Sequence, residues 1–531
     1  MATYRVLVSD PISEKGVEAL AAHPDISVDV NTGLAPEELL KIIGNYHGLV
    51  VRSQTKVSRE VLAAATQLKG IGRAGVGVDN IDREAATDHG VVVMNTPSGN
   101  TISTAEHAFT LMLSLARSIP QAHASIIAGK WDRKTFQGVE MYGKRLAILG
   151  MGRIGSEFAK RAQAFGMVVV AYDPFLSQAR AQALKVELAA SADDALRGAD
   201  VTTLHMPLTE DTKYLVNAER IALMNPGALI INCARGGLAD EAAIDAALAS
   251  GQLGGVALDV YEVEPPVADN PLFRHPKTVF TPHLGASTFE AQENVGIEVA
   301  HQLRDFLTTG EIRNAVNMPN LDAKTLAEVG GYLDLAEALG KLLAKIGPSQ
   351  ADAIRITYSG AVAELDTELI TRSAITGYLA SARNEAQVNL INAPAVAKSL
   401  GLRVTESKAA VETNYTELIE ATIVKGDDQV SVAGTFLGSQ PRIVHIAGHN
   451  VETAPSGLFM FVENDDRPGI VGLVGTLLGQ AGVNIANMNL SRSEDRTRAV
   501  TVIEVDSLPS ADLVKQLKAA PGILRVLTID L

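Results

Sequence analysis

The segment AILGMGRIGSEFAKRAQAFGMVVVAYDPF, residues 147–175, decides how the chain is read. Gly150, Gly152 and Gly155 form G-x-G-x-x-G between an apolar run and a helical one. At such a turn the first glycine permits the tight bend, the second lets backbone approach a pyrophosphate, and the third lets helix and strand pack closely. The first amides of the helix then face the phosphates. Taken alone, the motif also suits a structural glycine turn. Asp173 follows at the end of the next apolar run, where a carboxylate accepts hydrogen bonds from the adenosine ribose and repels the extra phosphate of NADP. By itself Asp173 is equally a turn residue before Pro174. Together the two features point to a dinucleotide site that takes NAD.

Around this segment, short apolar runs alternate with helical patterns, the mark of a parallel α/β layer. Before it come YRVLV, GLVV, KGIGRA and VVVMN; after it come VTTLHM, ALIINCA, GVALDV and TVFTP. These runs lack polar alternation, as expected of strands covered on both faces. STAEHAFTLMLSLAR has helical spacing, with Ser103 placed to cap it. The long helical pattern after residue 287 is expected to return the chain to the first layer. The expected fold is α/β, with two Rossmann-like doubly wound parallel sheets, the first discontinuous (1–98 and 287–316) and the second spanning 99–286. Residues 317–454 mix helices with alternating strands as an α+β domain. Residues 455–531 read β, α, β, β, α, β, the order of a ferredoxin-like sandwich.

A length of 531 residues exceeds what one core supports. The net charge of −15 and the lack of a Lys/Arg-rich block argue against a nucleic-acid surface. A single cysteine, Cys233, rules out an internal disulfide, and the scattered histidines give no metal-ligand spacing, so no metal is expected. The start MATYRVLVSDPIS runs directly into a strand, and no apolar run has the length of a bilayer span. A soluble cytoplasmic protein is expected, without membrane or nucleic-acid partners.

A nicotinamide cofactor moves hydride, so a neighbouring site must hold the substrate and move a proton. NCARGG, LDVYEVEPP and TPHLGAST fall where strand ends gather around the cofactor cleft, and they supply Arg235, Glu264 and His283. Arginine binds a carboxylate through two parallel hydrogen bonds. Histidine titrates near neutrality and takes the hydroxyl proton, and a paired glutamate orients the ring. Singly, each also reads as an ordinary loop residue.

The run GRAGVGVDNID, NTPSGNTISTAEH, GMGRIG, NCARGG, LDVYEVEPP and TPHLGAST resembles the D-isomer-specific 2-hydroxyacid dehydrogenases over residues 1 to about 316. DRPGIVGLVGTLL followed by GVNI resembles an ACT domain, as in the long branch of the family, which also carries an intervening domain. The resemblance implies NAD-dependent oxidation of 3-phospho-D-glycerate to 3-phosphohydroxypyruvate, the first step of serine synthesis, with side reduction of 2-oxoglutarate. It makes Arg235, Glu264 and His283 the catalytic residues. It places cofactor contacts at Gly150, Gly152, Arg153, Ile154, Gly155, Asp173, Pro207, Cys233, Ala234, Arg235, Asp259, His283, Gly285 and Ala286. Substrate contacts fall on Arg52, Gly75, Val76, Asn100, Arg235 and His283; some relatives have Thr where Val76 stands, which leaves only a backbone contact there.

A phosphate dianion favours several cationic donors, and Arg73, Arg133 and Lys134 join Arg52 as candidates, although a charge run such as KWDRK also reads as a solvated face. His107 and His205 read as structural. In ACT domains a small amino acid binds between two modules, which implies Asp466, Gly469 and Asn484 for L-serine. The helices between residues 101 and 129 resemble the family's dimer-forming part, so a homodimer or homotetramer is expected. Two other readings stay open: another member of the family, such as a hydroxypyruvate/glyoxylate or lactate-type reductase, and a non-catalytic NADH-sensing corepressor.

Overall fold

The computed structural model describes residues 3–348, 350–383, 388–409, 414–493 and 495–531. Strands β1 (Tyr4–Val8), β2 (Ile26–Val30), β3 (Gly48–Val51), β4 (Gly70–Arg73) and β5 (Val92–Asn95) form a parallel sheet in the order β2-β1-β3-β4-β5. Successive residues of β1 enter opposite cores, as a period of two requires. Val6 and Val8 meet Val299 and Leu303 of the helix Phe289–Thr309, while Leu7 lies with Leu39 and Ile43 on the other face. The long helix after residue 287 therefore packs on the first sheet. The segment behind it stays there, with Val316 N donating to Val93 O (2.9 Å) and Val93 N to Asn317 Oδ1 (3.0 Å).

The second sheet is also parallel: β6 (Arg145–Leu149), β7 (Val168–Tyr172), β8 (Glu187–Leu188), β9 (Val201–Leu204), β10 (Ala228–Asn232), β11 (Leu253–Leu258) and β12 (Thr278–Phe280). Its order, β8-β7-β6-β9-β10-β11-β12, reverses direction between β6 and β9. That reversal is the switch point at which open α/β sheets bind ligands. The helix beneath β10 and β11 begins earlier than its sequence pattern indicates. It spans Thr101–Ala116 with Asn100 at the N-cap, and Ser103 lies inside it, donating to Asn100 O rather than capping.

A mixed six-stranded sheet between Ala353 and Thr453 is covered by the helices Ala323–Ile346 and Glu368–Arg383. The last unit is an antiparallel sheet in the order Ile485–Arg492, Arg498–Val505, Leu458–Asp465, Ile523–Asp530. One face packs Met460, Val462 and Ile503 against Val474, Leu478, Leu513 and Leu517 of its two helices. The other face gives Phe459, Phe461 and Val502 to the core of the preceding unit. All four layers expected from the sequence are present. Among the described residues no helix is long and apolar enough to cross a membrane.

Candidate active site

The glycine loop follows β6 at the switch point. Gly150 has φ +96°, and a Cβ there would stand 2.5 Å from His205 O. A Cβ on Gly155 would stand 2.1 Å from Gly150 O, so helix and loop touch backbone to backbone. Gly152 has nothing within 4 Å of the same position, and no side chain caps the helix Arg153–Ala164 that it opens. Half-buried Ile154 and exposed Arg153 start that helix. Free first-turn amides beside open space fit a dinucleotide pyrophosphate. Asp173 accepts from Met151 N and Phe175 N, each at 2.8 Å and each on a different oxygen. It is thus the turn residue before Pro174, and it keeps lone pairs for ribose hydroxyls. Exposed Pro207 follows β9. His205, 5.3 Å from the Phe158 ring, is pushed down to about 3 by burial and stays neutral.

The parallel order brings the loops after β10, β11 and β12 to one edge. Buried Asn232 shapes the first loop, accepting from Ala234 N (3.0 Å) and donating to Arg235 O (2.8 Å). Cys233 is buried beneath it, where burial and the Asp259 charge push its thiol up. Asp259 is fully buried and holds the third loop. Its oxygens accept from Thr281 Oγ1 (2.5 Å), Leu284 N (2.7 Å) and Gly285 N (2.8 Å), and His107 Nε2 lies 3.2 Å away. Burial alone would raise its pKa, but His107, Thr281 and Leu284 hold it below the usual carboxylate range. Gly285 and half-buried Ala286 continue this loop, with Gly285 O accepting from Thr104 Oγ1 at 3.1 Å.

His283 stands on the same loop with φ +56°, and its amide donates to Asp259 O (2.9 Å). Its Nδ1 lies 2.8 Å from Glu264 Oε2, whose other oxygen accepts from Tyr261 N at 3.1 Å. With Nδ1–H donating to the carboxylate, Nε2 is the nitrogen able to accept a proton.

Arg235 reaches out of the second layer to the first. Its Nε is 3.1 Å from Asp79 Oδ2, and a Cβ on Gly77 would stand 2.0 Å from its Nη2. Arg73 ends β4 beside Gly75, which has φ +141°. Its Nε is buried with no hydrogen-bond partner. Burial first, and then the charges of Arg235 and Arg52, push the Arg73 guanidinium down to about 10. Three arginines thus converge on the cleft, where an anion would offset their mutual repulsion. Residues that spacing did not reveal fix the loops around them. Buried Asp10 accepts from Arg52 N (2.6 Å) and from Thr55; Asn80 donates to Arg52 O (2.8 Å); Thr96 Oγ1 accepts from Gly75 N (2.6 Å); Asn95 donates to Val76 O (2.6 Å). Asn100 Oδ1 is likewise buried and unpartnered.

The remaining candidates stand apart from this cluster. Arg133 and Lys134 are exposed on the loop after the helix Ile119–Ile127, and neither is among the charges acting most strongly on Arg73. In the last unit, Asp466 Oδ2 pairs with Arg492 Nε at 2.6 Å, and Asn484 donates to Asp506 Oδ2 at 2.7 Å. Gly469, with φ +94°, opens the helix Ile470–Gln480 and has nothing within 4 Å of a Cβ position. Among the described residues, no group of three or more His, Cys, Asp or Glu side chains is arranged to hold a metal ion.

Residues 109–285 match the family described as D-isomer specific 2-hydroxyacid dehydrogenase, NAD binding domain. Residues 328–447 match the D-3-phosphoglycerate dehydrogenase intervening domain, and residues 459–522 match the ACT domain. The chain is 42% identical to D-3-phosphoglycerate dehydrogenase of Methanocaldococcus jannaschii, over 99% of this chain and 100% of that protein. It belongs to the D-3-phosphoglycerate dehydrogenase family. The Bacillus subtilis member is 41% identical over 99% of this chain and 100% of its own. Among solved structures, a glyoxylate reductase from Paecilomyes thermophila is 32% identical with a TM-score of 0.55, covering 60% of this chain and 99% of its own. A protein from Thermus thermophilus is 36% identical with a TM-score of 0.54, covering 59% and 99%. Those shorter proteins match only part of the chain, whereas the family relatives match nearly all of it. The chain is an NAD-dependent oxidoreductase of this family.

Proposed function

We propose that the chain oxidises 3-phospho-D-glycerate to 3-phosphohydroxypyruvate, the step that opens L-serine synthesis. The observation that carries this reading is the convergence of Arg52, Arg73 and Arg235 on one cleft, with Arg73 Nε buried and unpartnered. A substrate carrying both a carboxylate and a phosphate supplies the anions that such a cluster favours. Arg235 holds the carboxylate, and Arg52 and Arg73 hold the phosphate, with the backbone of Gly75 and Val76 and the amide of Asn100 bordering it. His283 Nε2 takes the C2 hydroxyl proton as the C=O bond forms, and Glu264 stabilises the resulting imidazolium through Nδ1. Bound NAD supplies the hydride acceptor. Asp259, buried under the loop, keeps His283 in place. Incubation with 3-phospho-D-glycerate and NAD, with a hydrazine to trap the ketone, should yield trapped phosphohydroxypyruvate in proportion to NADH. NADH without that adduct would refute the assignment.

Residues 1–98 with 287–316 then serve as the substrate-binding part, 99–286 as the NAD-binding part, 317–454 as the intervening part and 455–531 as the ACT part. The helix Ile119–Ile127 buries none of its residues in this chain, and Ile119, Ile126, Ile127 and Trp131 are exposed. A second copy covers this face in a homodimer or homotetramer, which brings Arg133 and Lys134 toward the neighbouring phosphate site. Mixing Arg133→Ala with His283→Ala subunits should restore activity above either parent, and no recovery contradicts the shared site. The strand Ile485–Arg492 is a sheet edge with exposed Leu490, and L-serine binds where two such edges meet, held by Asp466, Asn484 and the open backbone at Gly469.

A further inference from the structure

The first sheet has a second cavity at the edge opposite the cleft. The cleft loops follow the carboxyl ends of its strands, whereas this cavity, of about 850 Å³, is lined by Tyr4, His47, Lys69 and Gly90, at or just before the amino ends of β1, β3, β4 and β5. Each of β3, β4 and β5 has four residues, so roughly 13 Å of strand separates the two edges. The cavity is therefore distinct from the dinucleotide and substrate site.

Two units build its walls. Leu62 and Phe306 come from the first layer, Ile391 from the third and Met318 from the segment that joins them; Leu62, Met318 and Ile391 are buried. Asn389 Nδ2 ties the units together, donating to Gly90 O at 2.9 Å. Small-molecule sites have this volume, a mostly apolar lining and a preference for such domain joints.

Lys69 supplies the charge of the lining. Burial first, and then Lys69 and Arg5, hold His47 below the ordinary imidazole range, and among the described residues no Asp or Glu lines the cavity. Lys69 Nζ lies 5.1 Å from the Tyr4 ring centroid and has no carboxylate within ion-pair distance among the described residues. A lysine resting on an aromatic face is a mobile point charge that an incoming anion can draw away at small cost. His47 is occupied at Nδ1, which accepts from Arg5 N at 3.0 Å, so its ring is fixed in the wall.

We propose that this cavity binds a small molecule with an apolar body and one anionic group, the body against Leu62, Phe306, Met318 and Ile391 and the anion at Lys69. Calorimetric titration of the full-length protein in saturating NAD, which fills the dinucleotide cleft, tests this with anilinonaphthalene sulfonate and its uncharged relative N-phenyl-1-naphthylamine. The sulfonate should saturate at one probe per chain, with the uncharged compound binding about tenfold more weakly, the scale of one charge-assisted hydrogen bond. Lys69→Met should weaken the sulfonate about tenfold and Lys69→Arg should keep its affinity, with turnover of both variants matching the parent as evidence that they fold. Absence of saturable sulfonate binding, equal affinity for the two probes, or undiminished affinity in Lys69→Met would overturn the proposal.

Discussion

His283 Nδ1 and Glu264 Oε2 lie 2.8 Å apart although they come from different loops. The pair is held from behind, because Asp259 O accepts the His283 amide and Tyr261 N donates to Glu264 Oε1. Such a pair fixes which nitrogen carries the proton. His283→Ala should lower turnover by about two to four powers of ten while NAD binding survives. Glu264→Gln keeps a group of the same shape without its charge, and a smaller loss is expected. Stopped-flow turnover alongside an NAD titration checks both; near-normal turnover in an NAD-binding His283→Ala variant would remove the histidine from the mechanism.

Arg73 carries its charge at a cost to the fold. Its folded pKa, about 10, lies below the ordinary arginine value, with burial as the first cause and Arg235 and Arg52 next. For a cation with a depressed pKa, the cost is present below the folded value and fades as pH rises through it toward the unfolded value. Arg73→Met should therefore leave the thermal midpoint of the ligand-free protein unchanged or higher near neutral pH, while KM for 3-phosphoglycerate rises roughly tenfold or more. A variant that unfolds earlier with an unchanged KM would show a purely structural arginine.

The proposed ribose contact of Asp173 is separable from its observed loop contacts by two substitutions. Asp173→Ala removes the ribose acceptor and the repulsion of the NADP phosphate, so NAD affinity should fall and the NAD/NADP ratio of kcat/KM should narrow. It also releases Met151 N and Phe175 N. Asp173→Asn, which retains an acceptor oxygen but no charge, should preserve more of the loop while still narrowing the ratio. Unchanged discrimination in both variants would place cofactor choice elsewhere.

What the sequence revealed depended on the range of each interaction. The glycine loop was legible because Gly150, Gly152 and Gly155 act within one turn, and Arg235, Glu264 and His283 because each follows a recognisable strand. The edge strands β2 and β8 were not. Only Ile26 of β2 is buried and β8 has two residues, so neither carries the unbroken apolar run of a central strand. Asp10, Asn80 and Thr96 were hidden for another reason. Each shapes a cleft loop through hydrogen bonds to residues distant in the chain: Asp10 and Thr55 are 45 positions apart, Asn80 and Arg52 are 28 apart, and Gly75 and Thr96 are 21 apart. Asn232 was readable in principle, since an Asn before Cys-Ala-Arg-Gly-Gly is an Asx-turn signal. The KWDRK run reads in one chain as the solvated face that charge runs usually make.

Asp466 is committed to Arg492 within its own chain, so the proposed serine site requires the effector's amine to replace that guanidinium. L-serine should inhibit, and Asp466→Ala or Asn484→Ala should relieve inhibition without changing uninhibited turnover. Calorimetry that detects no serine binding to the intact protein would leave residues 455–531 as an assembly element.

Oxidation of a phosphorylated 2-hydroxy acid in this cleft is tested most directly by NAD reduction measured side by side with 3-phospho-D-glycerate, glycerate, D-lactate and 2-hydroxyglutarate. The highest kcat/KM is expected for 3-phospho-D-glycerate, with glycerate well below it because Arg52 and Arg73 lose their anion. Equal or greater kcat/KM for glycerate or lactate, or no turnover with any of the four, would contradict it.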